Sequence, residues 1–169
     1  MMLHPISISD LKFNPFDAIG KDWYLVTSGT LEHYNTMTAS WGTMGIFWGK
    51  PVVNTFIRPQ RYTHEFLEKN DLYTISFFHE EMRPALQLCG SKSGRDIDKA
   101  AATGLKPVAV EDSTTFEQAR LVLVCKKLYD YHIDPAHFIG DAKELDARWY
   151  PQKDYHHCYF GEIIAVYSE

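Results

Sequence analysis

Two short segments of the sequence carry residues that suit the binding of a flat, negatively charged molecule. The segment Asn35–Gly42 (NTMTASWG) alternates apolar and small polar residues, a pattern typical of a β-strand, and its small side chains leave room beside it. A strand's length downstream, Arg58–Thr63 (RPQRYT) combines two arginines, a tyrosine and a threonine at a strand-to-helix junction. Guanidinium groups, hydroxyls and the N–H groups of a helix start are the groups that bind a phosphate. The two segments therefore predict a flat slot next to a phosphate site.

A second set of phosphate-binding groups is predicted in the loop Gly90–Arg95 (GSKSGR). The hydroxyls of Ser91 and Ser93 flank the ammonium group of Lys92. The glycines on both sides allow the backbone N–H groups to curl around an anion. An alternative stays open for each segment alone, since the arginines could be surface charges and this loop a solvated turn.

The ring slot is predicted along Thr38, Ala39, Ser40 and Trp41, whose backbone N–H groups are little obstructed by side chains. Trp41 would close one side of the slot, although burial in a core is the commoner fate of a tryptophan. A flat ring system with one phosphate tail is flavin mononucleotide (FMN). The residues therefore predict FMN as the cofactor, because a mononucleotide needs only one phosphate site.

The composition predicts a soluble, globular chain that forms one domain over residues 1–169. Apolar residues make up 45 % of the sequence and charged residues 23 %. The formal net charge of −5 argues against a nucleic-acid-binding protein, and no apolar run reaches the ~20 residues that span a bilayer. The N-terminus lacks the pattern of a secretory signal, and three widely separated cysteines fit reduced thiols in the cytoplasm.

Motifs for a tightly bound dinucleotide and for a metal ion are missing from the sequence. No Gly-x-Gly-x-x-Gly occurs. His132 and His137 flank Pro135, which interrupts any shared helical face. The adjacent His156 and His157 would point to opposite faces of a strand. The sequence therefore predicts no metal site.

The strand and helix patterns predict an antiparallel β-barrel with few helices. Helices are predicted at Tyr62–Asn70, with Thr63 as N-cap, within Glu80–Ala102, and within Phe138–Tyr150, the second being interrupted by the loop Gly90–Gly94. Strands are predicted at Trp23–Ser28, Thr36–Thr43, Pro51–Ile57, Asp71–Phe78, Val108–Val110, Arg120–Tyr129 and Tyr159–Tyr167.

Four segments in a fixed order resemble the flavin reductase-like family, which includes the flavoredoxins. They are Asn35–Trp41, Arg58–His64, Cys89–Lys99 and His156–Ile163, and they extend over most of the chain. The resemblance implies a mainly β fold, the FMN-binding split barrel, which is an antiparallel barrel with a few short peripheral helices. It also implies a homodimer with an FMN in each of two sites near the subunit interface.

The resemblance assigns roles to the residues at matching positions. His156 would lie near the nicotinamide of a co-substrate, with the adjacent His157 as the alternative. The ring would be lined by Thr38, Ala39, Ser40 and Trp41 and approached by Asn54 and Thr55, and the phosphate would be held by Arg58, Arg61, Tyr62, Thr63, Ser91, Lys92 and Ser93.

Three functions are compatible with this resemblance. In an oxidoreductase, NAD(P)H would bind transiently, stack its nicotinamide on the flavin and pass a hydride through FMN to an acceptor or to free flavin. In a flavoredoxin-type carrier, FMN would stay bound and shuttle electrons between protein partners without direct NAD(P)H turnover. A third alternative is a flavin-binding storage or sensing protein.

Overall fold

The computed structural model describes residues 3–169 and is built around one antiparallel sheet of eight strands. The order of the strands in the sheet is β3-β2-β6-β9-β10-β5-β4, with β1 paired to β10, and β7 and β8 form a separate hairpin. The strands are β1 His4–Ile6, β2 Tyr24–Thr30, β3 His33–Ala39, β4 Gly42–Phe47, β5 Lys50–Ile57, β6 Leu72–Phe77, β7 Pro107–Val110, β8 Ser113–Phe116, β9 Leu121–His132 and β10 His157–Ser168.

The sheet curls into a barrel because β3 and β4, which lie at its two opposite edges, are consecutive in the chain. Only Ser40 and Trp41 connect β3 to β4, so the two ends of the sheet lie within about 11 Å of each other, three Cα–Cα steps. The hydroxyl of Tyr24 holds this junction: it donates to the Trp41 carbonyl at 2.7 Å and lies 3.1 Å from the Thr55 hydroxyl. The predicted antiparallel barrel with few short helices is thereby confirmed.

Alternation along the strands divides the buried side chains between two cores. On β2, Val26 faces the barrel interior, whereas its neighbour Leu25 faces outward against the helices. The interior core includes Tyr24, Tyr73, Ile75, Leu123 and Tyr159, and the outer core includes Leu86, Cys89, Phe116 and Val122.

In the described part of the chain, five short α-helices lie around the barrel: α1 Pro15–Asp17, α2 Tyr62–Lys69, α3 Arg83–Ser91, α4 Lys99–Thr103 and α5 Lys143–Trp149. Among the described residues, no helix is both long enough and apolar enough to cross a membrane. All three cysteines are free and buried.

Three predictions about local structure were wrong. The segment Thr36–Thr43 is not one strand, because the chain leaves β3 at Ser40 and enters β4 at Gly42. Arg61, and not Thr63, occupies the N-cap position of α2; the Thr63 hydroxyl lies in the first turn and accepts a hydrogen bond from Asn35 Nδ2 at 2.7 Å. The helix α3 runs on to Ser91, so the interrupting loop begins later than predicted.

Candidate functional site

A cavity of about 360 Å³ opens where the end of β3 faces the end of β5. It brings together seven residues that the sequence predicted as site residues: Thr38, Ala39, Ser40, Trp41, Arg58, Arg61 and His156. Met37, Phe56 and Trp149 complete its wall. Small side chains on the β3 side and aromatic rings on the other make this a slot for a flat molecule.

Two neighbouring cations have no carboxylate partner within residues 3–169. Arg61 is half-buried and lines this cavity, whereas Lys99 is buried and lines a separate cavity of about 240 Å³. The Arg61 guanidinium Nη2 donates to the Cys89 carbonyl at 3.4 Å. The Lys99 Nζ donates to the same carbonyl at 2.9 Å and to the Thr36 carbonyl at 2.8 Å. Burial lowers the pKa of both groups, that of Lys99 to about 8. Because charges that are removed from water without a counter-charge are costly, the Arg61 end of the cavity suits an anion.

Two other arginines of this region, the predicted phosphate ligand Arg58 and its neighbour Arg95, are each paired with a carboxylate. Arg58 Nη1 donates to Asp154 Oδ2 at 2.5 Å, and its Nη2 donates to the Trp149 carbonyl at 2.8 Å. Burial opposes ionisation of Asp154, but hydrogen bonds from Gln60 and Arg58 hold the pKa of that carboxyl below its usual value. Arg95 forms an ion pair with the Glu65 carboxylate. Arg58 therefore has less charge to offer a phosphate than Arg61.

The glycine-rich loop packs against β3 beside the cavity. Ser91 lines an adjoining cavity of about 470 Å³ together with Thr38, and its hydroxyl donates to the Leu88 carbonyl. Glycine at residue 94 permits this close approach: a Cβ there would be 1.9 Å from Asn35 Oδ1, so the Asn35 side chain would have to move.

The remaining polar residues of this region lie outside the cavity wall. Lys92 follows α3 at its C-cap position and is exposed. Ser93 accepts a hydrogen bond from the backbone N–H of Arg95. The Tyr62 ring is covered by the Arg95 guanidinium, whose carbon lies 4.5 Å from the ring centroid.

The aromatic end of the cavity contains His156. Its ring packs on Trp41 with 5.0 Å between centroids, and Trp41 meets Trp149 edge-on at 5.0 Å. His156 Nδ1 lies 2.8 Å from the Tyr150 hydroxyl. Burial, followed by the nearby Arg58 charge, lowers the pKa of His156 to about 4, so the ring is neutral near pH 7. His157 instead bonds to Asp130, away from the cavity wall.

On β5 the alternation of side chains separates Asn54 from Thr55. The Thr55 side chain lies in the barrel interior against Tyr24, so the structure does not bring it to the cavity. Asn54 shares a strand face with Phe56, which lines the cavity. Its Nδ2 donates to the Thr43 hydroxyl at 2.9 Å, while its buried Oδ1 has no partner among the described residues.

Sequence reasoning missed Phe56 and Trp149, which line the cavity, and Lys99, which lies next to Arg61. The period-two pattern of β5 could have placed Phe56 on the same face as Arg58. No local pattern marks Lys99 or Trp149, because long-range packing brings Trp149 to the cavity and Lys99 to the Thr36 and Cys89 carbonyls.

A second cavity of about 700 Å³ adjoins the first and shares Ser40, Trp41, Phe56 and Trp149 with it. None of the described residues that line it carries a formal charge. The rest of its wall is formed by Pro15, Phe16, Ile19, Gly20, Gly42, Thr43, Met44, Ile133, Phe138, Leu145 and Tyr150. A cationic slot therefore lies next to an apolar one.

A family model described as a flavin reductase like domain matches residues 16–167. The chain belongs to the flavin reductase-like family. This confirms the resemblance carried by the four sequence segments.

Solved structures with the same fold include FMN-binding proteins and a flavoredoxin. The chain resembles the FMN-binding domain of a flavin reductases-like enzyme from Shewanella baltica OS155, with a TM-score of 0.68 and 16 % identity over 98 % of this chain and 76 % of that one. For flavoredoxin from Methanosarcina acetivorans, the TM-score is 0.69 at 19 % identity, covering 95 % of this chain and 75 % of that one. For an FMN-binding protein from Thermus thermophilus, it is 0.67 at 23 % identity, covering 97 % and 80 %. At these identities the comparison establishes the split-barrel fold.

Proposed function

We propose that this flavin reductase-like chain binds FMN and moves electrons through it from NAD(P)H to an acceptor or to free flavin. The observation that carries the proposal is that Arg61, half-buried in the wall of the slot, and Lys99, buried next to it, donate to the same Cys89 carbonyl and have no acidic partner within residues 3–169. A phosphate monoester brings close to two negative charges and several acceptor oxygens. Such a group would supply the missing counter-charge, and the ring would occupy the slot beside it.

Different residues of this region would bind the phosphate and the ring of the cofactor. Arg61 would hold the phosphate, and Lys99 would add positive charge from its place beside the Cys89 carbonyl. The segment Thr38–Trp41 would offer backbone N–H groups and an aromatic wall to the ring. Bound FMN would supply hydride and one-electron chemistry. His156 is neutral near pH 7, so it would act as a hydrogen-bonding group and not as a fixed positive charge. When the Tyr150 hydroxyl donates to Nδ1, the ring proton lies on Nε2 and can be donated.

The apolar cavity supports a small, uncharged molecule as the acceptor. Its described wall carries no charged side chain that would bind the phosphates of a second nucleotide. The Thermus thermophilus protein was solved with 1-cyclohex-2-enone bound. A conjugated carbonyl or a quinone is therefore the class of acceptor that we propose, alongside free flavin.

We also propose a homodimer, since exposed aromatic rings cluster at the end of β4, the turn that follows it, β9 and β10, and clustered exposed apolar side chains favour a subunit contact. Phe47, Trp48, Tyr129 and Tyr131 are exposed there and surround Phe160. Light scattering would check whether the mass is that of two chains.

The test is to purify the protein, record its visible spectrum and add NADH and NADPH separately without oxygen. Bleaching of a flavin spectrum within seconds would support the oxidoreductase. Bleaching with dithionite alone would support the flavoredoxin-type carrier, which would need a partner reductase. If the purified protein shows no flavin spectrum and binds no added FMN, the proposal is wrong.

A further inference from the structure

Outside the cavity that we propose for FMN, three side chains of the types that can bind metal ions lie close together between α2 and β10. His64 and Glu68 lie one helical turn apart on α2, and His157 is the first residue of β10. One ligand atom of each lies within 4.8 Å of the others. His64 Nε2 is 2.9 Å from His157 Nδ1, and Glu68 Oε1 is 3.7 Å from the same Nδ1.

The hydrogen bonds around His157 define which of its nitrogens carries a lone pair. Its Nε2 lies 2.8 Å from Asp130 Oδ1. An ionised carboxylate can only accept, so in the neutral ring Nε2 carries the proton and Nδ1 presents a lone pair. That lone pair is directed at the place where the His64 and Glu68 ligand atoms meet.

Tyr159 does not satisfy this lone pair. Its hydroxyl lies 2.6 Å from Glu68 Oε1 and 3.1 Å from His157 Nδ1. A phenol has one proton, and the shorter bond to a carboxylate takes it. In the absence of an ion, His64 Nε2 must therefore be the group that donates to His157 Nδ1.

We propose that His64, Glu68 and His157 bind a divalent transition-metal ion, and that Zn²⁺ is the best match. Two imidazole nitrogens and one carboxylate oxygen form a donor set that zinc uses, with water in the fourth position. Zinc bonds of about 2.0–2.1 Å in a tetrahedron place ligand atoms roughly 3.3 Å apart. The two distances at His157, 2.9 and 3.7 Å, lie on either side of that value. Binding requires small side-chain shifts and a change of the His64 tautomer.

The surroundings of the three ligands suit an ion. Asp130 holds the far nitrogen of His157, as carboxylates do for metal-binding histidines. The Glu68 side chain is 48 % exposed, which gives an ion a route from solvent. The prediction of no metal site rested on histidines that are close together in the sequence. It missed this cluster because Glu68 and His157 are far apart in the chain and only folding brings them together.

A bound ion would link α2 to β10 and would lie outside the cavity proposed for FMN. Arg61 directly precedes α2, and His156 directly precedes β10. The ion would therefore join the two segments that carry the proposed phosphate and ring contacts, and we assign it a stabilising role.

The test is calorimetric titration of ZnCl₂ into chelator-treated, FMN-loaded protein. We expect saturable binding of one ion per chain. Glu68→Gln keeps the size of an exposed side chain and should weaken zinc binding at least tenfold. Asp130→Ala should weaken it by about 10- to 100-fold, the usual cost of removing such a partner. His137→Gln, in an exposed turn, is the control and should bind zinc as the unaltered protein does.

Thermal unfolding gives a second readout that does not depend on activity. Zinc should raise the unfolding temperature of the unaltered protein and of His137→Gln, and it should raise that of Glu68→Gln much less. Absence of saturable binding would overturn the proposal. Binding that Glu68→Gln and Asp130→Ala leave unchanged would also overturn it, because the ion would then lie elsewhere on the surface.

Discussion

Replacing Arg61 with alanine should weaken FMN binding by about 1.5–3 kcal/mol, the contribution of a hydrogen bond to a charged group. At about 1.4 kcal/mol per tenfold change, this is roughly a 10- to 150-fold rise in Kd. The structure explains why the effect should appear in binding and not in folding. Without a ligand, Arg61 makes one long hydrogen bond to the Cys89 carbonyl, and burial already disfavours its charge. Removing the side chain therefore costs the ligand-free protein little.

The assay is the quenching of flavin fluorescence, measured with FMN and with riboflavin, which lacks the phosphate. Arg61→Ala should raise the Kd for FMN and leave the Kd for riboflavin nearly unchanged. Arg95→Ala removes the same charge from an arginine that is paired with Glu65, and it serves as the matched control. An equal loss for both flavins would mean a distorted cavity and would refute the phosphate role. An unchanged Kd for FMN would refute it as well.

Three further predictions concern residues with separate physical roles. Burial lowers the pKa of Lys99 to about 8, and a bound phosphate favours its ammonium form. FMN affinity, measured by fluorescence titration, should therefore fall as the pH rises through about 8. In Lys99→Met, FMN affinity should not change with pH in this range. His156→Ala should retain FMN but slow its reduction by NAD(P)H in stopped-flow measurements, equally across the neutral range because the pKa of His156 is about 4; an unaltered rate would remove His156 from the reaction. Gly94→Ala should lower the thermal unfolding temperature, since its Cβ would meet Asn35 Oδ1 at 1.9 Å and overpacking costs about 1–3 kcal/mol. Gly45→Ala, whose Cβ would meet nothing within 4 Å, is the control, and equal unfolding temperatures would contradict the close approach.

Local patterns in the sequence predicted most strands but not where β3 ends. The alternation of side chains continues through Ser40 and Trp41, so nothing local marks the break between β3 and β4. Closure of the barrel imposes the break, because these two residues must cross from one edge of the sheet to the other. Tyr24 then holds the crossing by donating to the Trp41 carbonyl, a contact between residues 17 positions apart.

The sequence also predicted the cavity wall along β3 but not which cations remain unpaired. Arg58 and Arg61 have the same side chain three positions apart, and only one meets a carboxylate. The partner of Arg58 is Asp154, 96 residues away, and the contact between Lys99 and the Thr36 carbonyl joins residues 63 apart. Such pairings depend on how β10 and α4 pack against the barrel, and no periodicity in the sequence reports that.

The lowered pKa of Lys99 links the fold to the proposed function. A pKa of about 8 in place of 10.5 means that the folded, ligand-free protein disfavours the ammonium form by about 3 kcal/mol. Packing alone does not require this cost, since an apolar side chain could fill the same space, and a carboxylate nearby could remove it. Arg61 shows the same lack of a counter-charge at the same carbonyl. These two cations lack a counter-charge in the ligand-free protein, and a bound anion would remove that energetic cost. This is the arrangement expected of a phosphate site, whereas in a structural salt bridge the counter-charge is already present.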